Sequence, residues 1–169
     1  MSNVIWVTGL SGSGKTTLAT QITKAIRDRN IPVIMLDGDI LRETLGIEGK
    51  NARHERIEIG FTYSRLCKMI AAQEINVVIA TIALFKQIHA WNRENIDNYF
   101  EIFLDVPIQE LARRDTKGLY KKAKEAGLKD VAGLDLEVDF PSNPDLLFKY
   151  SKDEDPGKMK DKVLSLVFD

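Results

Sequence analysis

The sequence predicts an α/β fold in which helices cover both faces of a mainly parallel β-sheet. Three observations carry this prediction: short apolar runs alternate with amphipathic segments, residues 76–82 are apolar without interruption, and a glycine-rich loop directly follows the first apolar run. The predicted strands are residues 3–8, 33–36, 76–82 and 99–104. The predicted helices are residues 15–29, 52–72, 108–114 and 158–168, and residues 92–99 are interpreted as the end of another helix.

The first helix shows the pattern most clearly. Leu18, Ile22 and Ile26 recur at helical spacing and predict one apolar face. Asn30 and Pro32 then end the helix before the second apolar run begins. Residues 116–145 form a long polar stretch rich in Lys and Gly, for which no regular element is predicted.

Length and composition restrict the class of protein. The 169 residues fit one compact domain, and we find neither an internal repeat nor a low-complexity linker. The formal net charge of −1 provides no general basic field for nucleic acid or for an anionic membrane. No apolar run approaches the roughly 18 to 20 residues that cross a bilayer, and no signal peptide is visible. We therefore predict one cytoplasmic domain, residues 1–169, without nucleic-acid or membrane partners.

A few residues that often carry chemistry are interpreted as structural. Cys67 is the only cysteine, which excludes an intrachain disulfide and a multi-cysteine zinc site, and its apolar neighbours predict burial. Trp6 lies in the first strand and is expected to pack in the core. His54 and His89 are interpreted as surface residues.

The glycine-rich loop carries a phosphate-binding pattern. Residues 9–16 read GLSGSGKT and match G-x-x-x-x-G-K-[ST] in full, between a predicted strand and a predicted helix. Glycines let successive N–H groups point at phosphate oxygens, and the helix N-terminus adds partial positive charge. We expect Lys15 to reach the β- and γ-phosphates of ATP, and the hydroxyl of Thr16 to bind Mg²⁺. The predicted ATP-binding residues are Gly9, Ser11, Gly12, Ser13, Gly14, Lys15, Thr16, Thr17 and Arg113.

This pattern makes the predicted fold a P-loop NTPase, a three-layer α/β/α sandwich. The alternative is a glycine-rich turn that only joins a strand to a helix. The loop by itself does not distinguish a kinase from a hydrolase or a nucleotide switch.

Two acidic residues follow the second predicted strand. Asp37 and Asp39 flank Gly38 at a carboxyl strand end, where open α/β sheets bind ligands. We assign the role of general base and acceptor orientation to Asp39 and a metal-side role to Asp37, although the two roles could be exchanged. Arg42 would face the same cleft if a helix begins here. The alternative is a solvated Asp-Gly turn.

A basic segment is predicted to act as a lid. Residues 113–122 concentrate Arg and Lys around Gly118, and the lid is taken as residues 113–140. Such a segment can close over ATP, exclude water and neutralise charge in the transition state. The alternative is a solvated surface helix with Lys on its outer side.

These motifs, in this order, resemble those of the adenylylsulfate (APS) kinases, which phosphorylate the ribose 3′-hydroxyl of APS. GLSGSGKTT at residues 9–17 resembles their phosphate loop, and LDGDILR at residues 36–42 resembles their DGDNVR segment. Residues 103–122 are similar to their VDTPLE…RDPKGLYKKA block, and residues 133–135 and 143–146 to their GID…NPEL ending. The resemblance covers nearly the whole chain and implies ATP, Mg²⁺, a small nucleotide acceptor and a homodimer.

The resemblance also implies an acceptor site. Arg53 matches the arginine of the family's DRxEN segment, which binds the charged bridge of the acceptor. The acceptor-binding residues taken from the resemblance and the motifs are Asp39, Arg42, Arg53, Arg56, Thr81, Ile82, Lys117 and Leu119. The catalytic residues are taken as Lys15, Asp37 and Asp39, and the metal-binding residues as Thr16 and Asp37.

The departures from the family pattern lie on the acceptor side. APS kinases hold adenine between two phenylalanines, but residues 46–50 and 131–133 contain no aromatic residue. Each lost face removes roughly 1–3 kcal/mol of stacking. The family's ENIRR becomes ERIEI at residues 55–59, and its SFISP loop becomes TIAL at residues 81–84.

We therefore hypothesise the same chemistry on another nucleotide. A relative of the family phosphorylates the 3′-hydroxyl of cytidine diphosphoramidate during capsule decoration, and the lost clamp and Arg56 suit such an acceptor. The alternatives are an APS kinase with a changed pocket and, from another class, a non-catalytic nucleotide sensor. A kinase of sugars or of shikimate-like acids is disfavoured by the KGLYKK sequence.

Overall fold

The computed structural model describes residues 2–115, 117–153 and 155–169. Its strands are β1 Val4–Gly9, β2 Val33–Asp37, β3 Asn76–Thr81, β4 Tyr99–Asp105 and β5 Leu146–Lys149. Its helices are α1 Lys15–Asp28, α2 Gly38–Thr44, α3 Arg53–Ala71, α4 Lys86–Asn95, α5 Ile108–Arg114, α6 Leu119–Ala126 and α7 Pro156–Phe168. The strands pair in parallel in the order β2-β3-β1-β4-β5.

Helices cover both faces of this sheet. Along β1, Ile5 and Val7 belong to the apolar cluster that contains α1 and α7, whereas Val4 and Trp6 belong to the cluster that contains α3 and α4. Every residue of β1 and of β3 is buried, because both faces of these central strands are covered. The predicted three-layer α/β/α sandwich is confirmed.

The register of the sheet brings three carboxyl strand ends together. Thr8 of β1 lies opposite Thr81 of β3, and Asp37 of β2 lies opposite Ala80. Gly9 is opposite Leu104 of β4. The residues that follow β1, β2 and β3 therefore meet at one edge, and this edge positions the site.

The sequence and the structure differ in the second half of the chain. The predicted strands and helices are found within a few residues of their bounds, but β5 and α6 were not predicted. Thr116, inside the predicted lid, lies outside the described residues. Among the helices of the described residues, none has the length and apolar composition that crossing a membrane requires.

The burial or exposure of Trp6, Cys67 and His89 was also predicted from the sequence. Trp6 and Cys67 are buried in the core, as predicted. The surface interpretation of His89 is wrong: its imidazole is buried, and Nε2 lies 3.2 Å from the carbonyl oxygen of Ala83. The residues next to His89 in the sequence do not predict this burial, because the loop that covers His89 comes from the end of β3.

The two isoleucines Ile22 and Ile34 offer a test of the layer arrangement. Ile22 of α1 is 0% exposed against the sheet, whereas Ile34 of the edge strand β2 is 37% exposed. We expect Ile22→Ala to lower the free energy of unfolding by about 2–5 kcal/mol, because it leaves a cavity in the core. Ile34→Ala should cost less than about 1 kcal/mol. Urea unfolding measures both, and equal losses would contradict the arrangement.

Candidate active site

A cleft of about 740 Å³ lies at the carboxyl edge of the sheet. It brings together most of the residues that the sequence singles out. Those that line it are Ser11, Gly12, Gly14, Lys15, Thr16, Thr17, Asp37, Asp39, Arg42, Arg56, Thr81, Ile82, Lys117 and Leu119. Gly9, Ser13, Arg53 and Arg113 do not line it.

The loop between β1 and α1 has the conformation that its glycines permit. Gly12 and Gly14 have φ angles of 82° and 97°, in the left-handed region that side chains disfavour. A Cβ atom at Gly9 would lie 2.7 Å from Ser13 Oγ and 2.8 Å from the carbonyl oxygen of Leu104. Gly9 and Ser13 thus form the buried base of the loop, and the rest of it faces the cleft.

Lys15 lies across this loop in a mixed electrostatic environment. Its Nζ donates a hydrogen bond of 2.8 Å to the carbonyl oxygen of Leu10. Burial, followed by the nearby charge of Lys117, lowers the pKa of Lys15 to about 8, while Asp39 and Asp37 act in the opposite direction. An anionic ligand would raise this pKa and so favour the protonated, cationic form of Lys15.

Thr16 and Asp37 form a pair of oxygen donors. The hydroxyl of Thr16 donates to Asp37 Oδ2 at 2.7 Å, and Asp37 Oδ1 accepts from the backbone N–H of Asp39 at 2.9 Å. Within the described ranges, no group of three or more His, Cys, Asp or Glu residues could hold a metal. The pair therefore suits a hard cation that takes only a few protein ligands and completes its shell with phosphate and water.

Asp39 stands at the start of α2 and is open to the cleft. Its carboxylate forms an ion pair with Lys117, and the two side chains are 70% and 57% exposed. An exposed pair of this kind contributes at most about 1 kcal/mol to stability. A ligand can therefore separate the two groups at little cost.

Tyr63 supports the turn between the two aspartates. Its hydroxyl donates a hydrogen bond of 3.0 Å to the carbonyl oxygen of Gly38, and burial raises its pKa to about 12. The backbone of Gly38 packs tightly against β3, since a Cβ there would lie 3.1 Å from Thr81 Oγ1. The sequence did not single out Tyr63, because its partner is 25 residues away along the chain.

Two arginines at the far end of the cleft are held by neighbouring carbonyl groups. Arg42 Nη1 donates to the carbonyl oxygen of Lys50 at 2.9 Å, and Arg56 Nε donates to that of Asn51 at 2.8 Å. Both guanidinium groups line the cleft and keep further donors for a ligand. The part of the lining that residues 42–56 contribute therefore contains two cationic side chains and one acidic one, Glu48.

Arg53 is placed differently from the expectation. It pairs with Asp139 at 3.1 Å and lies over the ring of Phe85, with its guanidinium carbon 5.3 Å from the ring centroid. Asp139 and the ring of Phe85 hold the Arg53 side chain outside the lining of the cleft, whereas Phe85 itself lines the cleft. Its role in binding the acceptor stays a prediction.

The loop after β3 is under backbone strain. Ala83 has a φ angle of 28°, which a residue with a side chain rarely adopts. His89 holds the carbonyl group of Ala83, and the backbone N–H of Asp139 donates to the carbonyl of Leu84 at 2.8 Å. Strained backbone of this kind persists where surrounding contacts impose it, often at binding sites.

Of the two arginines at the end of α5, Arg114 lines the cleft, whereas the sequence pointed to Arg113 for ATP binding. Arg113 is 73% exposed and pairs with Glu110 at 2.8 Å, outside the cleft. Arg114 lines the cleft, and its guanidinium carbon lies 5.2 Å from the centroid of the Tyr150 ring. Consecutive helical residues point about 100° apart, so only one of the two faces the site. The ATP-binding role of Arg113 is not supported by its position.

Part of the predicted lid is a helix that contacts the phosphate loop. The hydroxyl of Tyr120 in α6 donates to the carbonyl oxygen of Ser11 at 2.8 Å. Asp115 caps the helix by accepting from the N–H groups of Tyr120 and Lys121 at 3.1 and 2.9 Å. Lys117 and Leu119 are thereby brought over the cleft. Closure of this segment on a ligand stays a prediction.

The arrangement defines a class of protein. A phosphate-binding loop, a hydroxyl–carboxylate pair, a second carboxylate and several cations share one cleft at the carboxyl edge of a parallel sheet, which is the equipment of a P-loop kinase. The family model described as adenylylsulphate kinase matches residues 1–149. The chain belongs to the adenylylsulphate kinase family and is a phosphotransferase that acts on a hydroxyl group.

Individual relatives differ in their acceptors. The chain is 38% identical to a cytidine diphosphoramidate kinase of Campylobacter jejuni over 82% of this chain and 81% of the relative. It is 32% identical to an adenylyl-sulfate kinase of Pseudomonas aeruginosa over 97% of this chain and 84% of the relative. Among solved structures, the Mycobacterium tuberculosis APS kinase in complex with AMPPNP and APS matches with a TM-score of 0.91 and 30% identity, covering 99% of this chain and 98% of that one.

The charges around Lys15 generate a prediction about its titration. In the free protein we expect the pKa of Lys15 to be about 8. Lys117→Met should raise this pKa by removing a neighbouring cation, and Asp39→Asn should lower it by removing an anion. The measurement is the pH dependence of the Lys15 side-chain carbon signal in NMR of lysine-labelled protein.

Lys24→Met is the matched control for that titration. Lys24 lies on the same helix but pairs with Asp28 on the exposed side, so the Lys15 curve should not move. Shifts of the same sign for Lys117→Met and Asp39→Asn would contradict the electrostatic description of the cleft.

Proposed function

We propose that the chain transfers the γ-phosphoryl group of ATP to the ribose 3′-hydroxyl of an APS-like nucleotide, and that this nucleotide is cytidine diphosphoramidate. One observation carries the proposal. The phosphate loop and the acidic pair are complete in the cleft, whereas the acceptor end is lined by Glu48, Gly49 and Ala132 in the segments where APS kinases carry their adenine clamp.

The ATP side of the cleft follows from the loop. Backbone N–H groups of the loop and the N-terminus of α1 would hold the phosphate oxygens, and Lys15 would neutralise the β- and γ-phosphates. Arg114, which faces the same side, would add a second cation close to the loop, since its Nη1 lies 3.4 Å from the carbonyl oxygen of Gly12. These groups bind and orient the phosphoryl donor.

Mg²⁺ fits the oxygen pair described above. Thr16 and Asp37 would hold it, because both present oxygen atoms at an open position next to the phosphate loop. When bound, the ion neutralises charge on the phosphate oxygens as the γ-phosphoryl group is transferred.

Asp39 is the group placed to receive a proton. Its carboxylate would accept the hydrogen of the attacking 3′-hydroxyl as the new O–P bond forms and the bond to ADP breaks. Lys117, released from its pair with Asp39, would face the anionic phosphates. We assign the metal to Asp37 and the acceptor to Asp39, since Asp37 is paired with Thr16 whereas Asp39 is open to the cleft.

The choice of acceptor rests on the lost clamp. Arg42 and Arg56 line the cleft, and there is no aromatic pair at residues 46–50 and 131–133. A nucleotide with a smaller pyrimidine base suits a site without this clamp better than APS does, since it has less ring surface to stack. The Campylobacter relative carries that substrate in its name. A role in capsule decoration, a cytoplasmic location, a homodimer, one domain over residues 1–169 and a lid over residues 113–140 belong to the same proposal.

The second candidate is an adenylylsulfate kinase that serves sulfate assimilation. The observation in its favour is the structural match over nearly the whole chain to an enzyme with APS bound. The two candidates share the ATP side and differ only in the acceptor.

The acceptors themselves decide between the two candidates. We expect kcat/KM for cytidine diphosphoramidate to exceed that for APS by at least about tenfold, a difference of about 1.4 kcal/mol in transition-state binding. Acceptor-dependent release of ADP is the measurement, with Mg·ATP in excess. Efficient, saturable phosphorylation of APS would favour the second candidate, and ADP release that no acceptor stimulates would exclude both.

Substitution of the proposed base gives a mechanistic prediction. Asp39→Asn should lower kcat by about 10²–10⁴-fold while the Kd for ATP changes little, because the carboxylate acts on the acceptor hydroxyl. Stopped assays for turnover and calorimetry for ATP binding separate the two effects. Asp28→Asn, which removes an exposed carboxylate paired with Lys24, is the control and should leave both constants unchanged. Parallel loss of ATP affinity and turnover would argue against the assignment.

A further inference from the structure

A second, smaller cavity adjoins the acceptor end of the cleft. Its volume is about 90 Å³. The residues that line both spaces are Ser11, Asn51, Arg56, Ile82, Leu119 and Ala132. Leu128, Lys129, Asp130 and Val131 complete the wall of the smaller one, which we call the side cavity.

Arg56 bridges two segments that line the side cavity. Its Nε donates to the carbonyl oxygen of Asn51 at 2.8 Å, and its Nη2 donates to the carbonyl oxygen of Asp130 at 2.9 Å and to Asn51 Oδ1 at 3.3 Å. The guanidinium group therefore ties the start of α3 to the loop that follows α6.

The far end of this bridge is itself held in place. Both carboxylate oxygens of Asp135 accept hydrogen bonds of 2.8 Å, one from the N–H of Asp130 and one from the N–H of Val131. Asp130 has a φ angle of 60°, so its carbonyl group is directed by the turn that Asp135 stabilises. Arg56 thus contacts a fixed acceptor, and it lies where the side cavity adjoins the cleft.

The side cavity combines apolar walls with unused polar groups. Ile82, Leu119, Leu128 and Val131 offer apolar surface to the faces of a planar ring. Arginine carries five N–H donors, and no hydrogen bond within the described part of the chain involves Arg56 Nη1. Apolar walls with a few convergent polar groups are typical of small-molecule sites.

Size restricts the ring. A dry cavity of about 150 Å³ holds one benzene molecule. The side cavity of about 90 Å³ is smaller than that, so it takes in the edge of one ring, and the rest of the base would lie in the cleft next to Arg56, which lines both spaces.

We propose that Arg56 is the specificity-determining residue of the acceptor site: held by Asn51 and Asp130 where the side cavity meets the cleft, its guanidinium group occupies the room that the second ring of a purine base would need. This inference rests on the proposed function in one respect, that the acceptor is a nucleotide. It adds the residue that selects the base and the reason for the selection, which is the room beside its guanidinium group.

The test measures base size in binding and does not depend on phosphoryl transfer. Calorimetry gives the Kd of CMP and of AMP for the full chain in the presence of Mg·ADP. The wild-type protein should bind CMP at least about tenfold more tightly than AMP. In Arg56→Ala this ratio should fall by at least about tenfold, because AMP gains the room that the guanidinium group occupied while CMP loses its donor.

Two further variants separate shape from charge. Arg42→Ala removes the neighbouring cation, which lines the cleft but not the side cavity, and should weaken CMP and AMP by the same factor. Arg56→Lys keeps the charge but lacks the planar donors that reach Asn51 and Asp130 together, so it should lose discrimination as Arg56→Ala does. The lysine variant also tests the proposal if the alanine variant does not fold.

Several results overturn the inference. They are equal binding of CMP and AMP by the wild-type protein, binding of neither, an unchanged ratio in Arg56→Ala, and full discrimination in Arg56→Lys. The outcome is distinct from that of the proposed function. Discrimination that depends on Arg56, in a protein that phosphorylates no nucleotide 3′-hydroxyl, would uphold the inference while the proposed function fails.

Discussion

The site depends on how closely the carboxyl ends of neighbouring parallel strands approach one another. An added Cβ would lie 2.8 Å from the carbonyl oxygen of Leu104 in β4 at Gly9, and 3.1 Å from Thr81 Oγ1 of β3 at Gly38. This proximity places the phosphate loop, the Thr16–Asp37 oxygen pair and the Asp39 carboxylate in one cleft. It exists because both faces of β1 and β3 are sealed by apolar helices, so that the strands pack in register and only their ends remain available for polar groups.

Within the cleft, charges are balanced rather than uniform. Lys15 and Lys117 lie among Asp37 and Asp39, and the exposed pairing of Lys117 with Asp39 occupies both groups while no ligand is bound. In the proposed reaction, a triphosphate would draw the lysines to itself and leave the Asp39 carboxylate free for the acceptor.

The sequence predicted best what is contiguous along the chain. The phosphate loop and the turn from Asp37 to Asp39 are short motifs whose function follows from residue order, and both lie where expected. Tyr63 and Arg114 were missed because their contacts join distant segments. Arg113 and Arg114 point about 100° apart on α5, and the charge pattern of the sequence does not show which of them lines the cleft. β5 was not predicted from the sequence. Its four residues lie at a sheet edge and are alternately half-buried and exposed, so they produce no continuous apolar run.

The two halves of the cleft are built in different ways. The half that contains the phosphate loop is one continuous segment between β1 and α1. The other half is formed by separate loops that side chains hold in place, as His89 does for the turn at Ala83. One of these loops could therefore change in sequence while the phosphate loop between β1 and α1 stays the same.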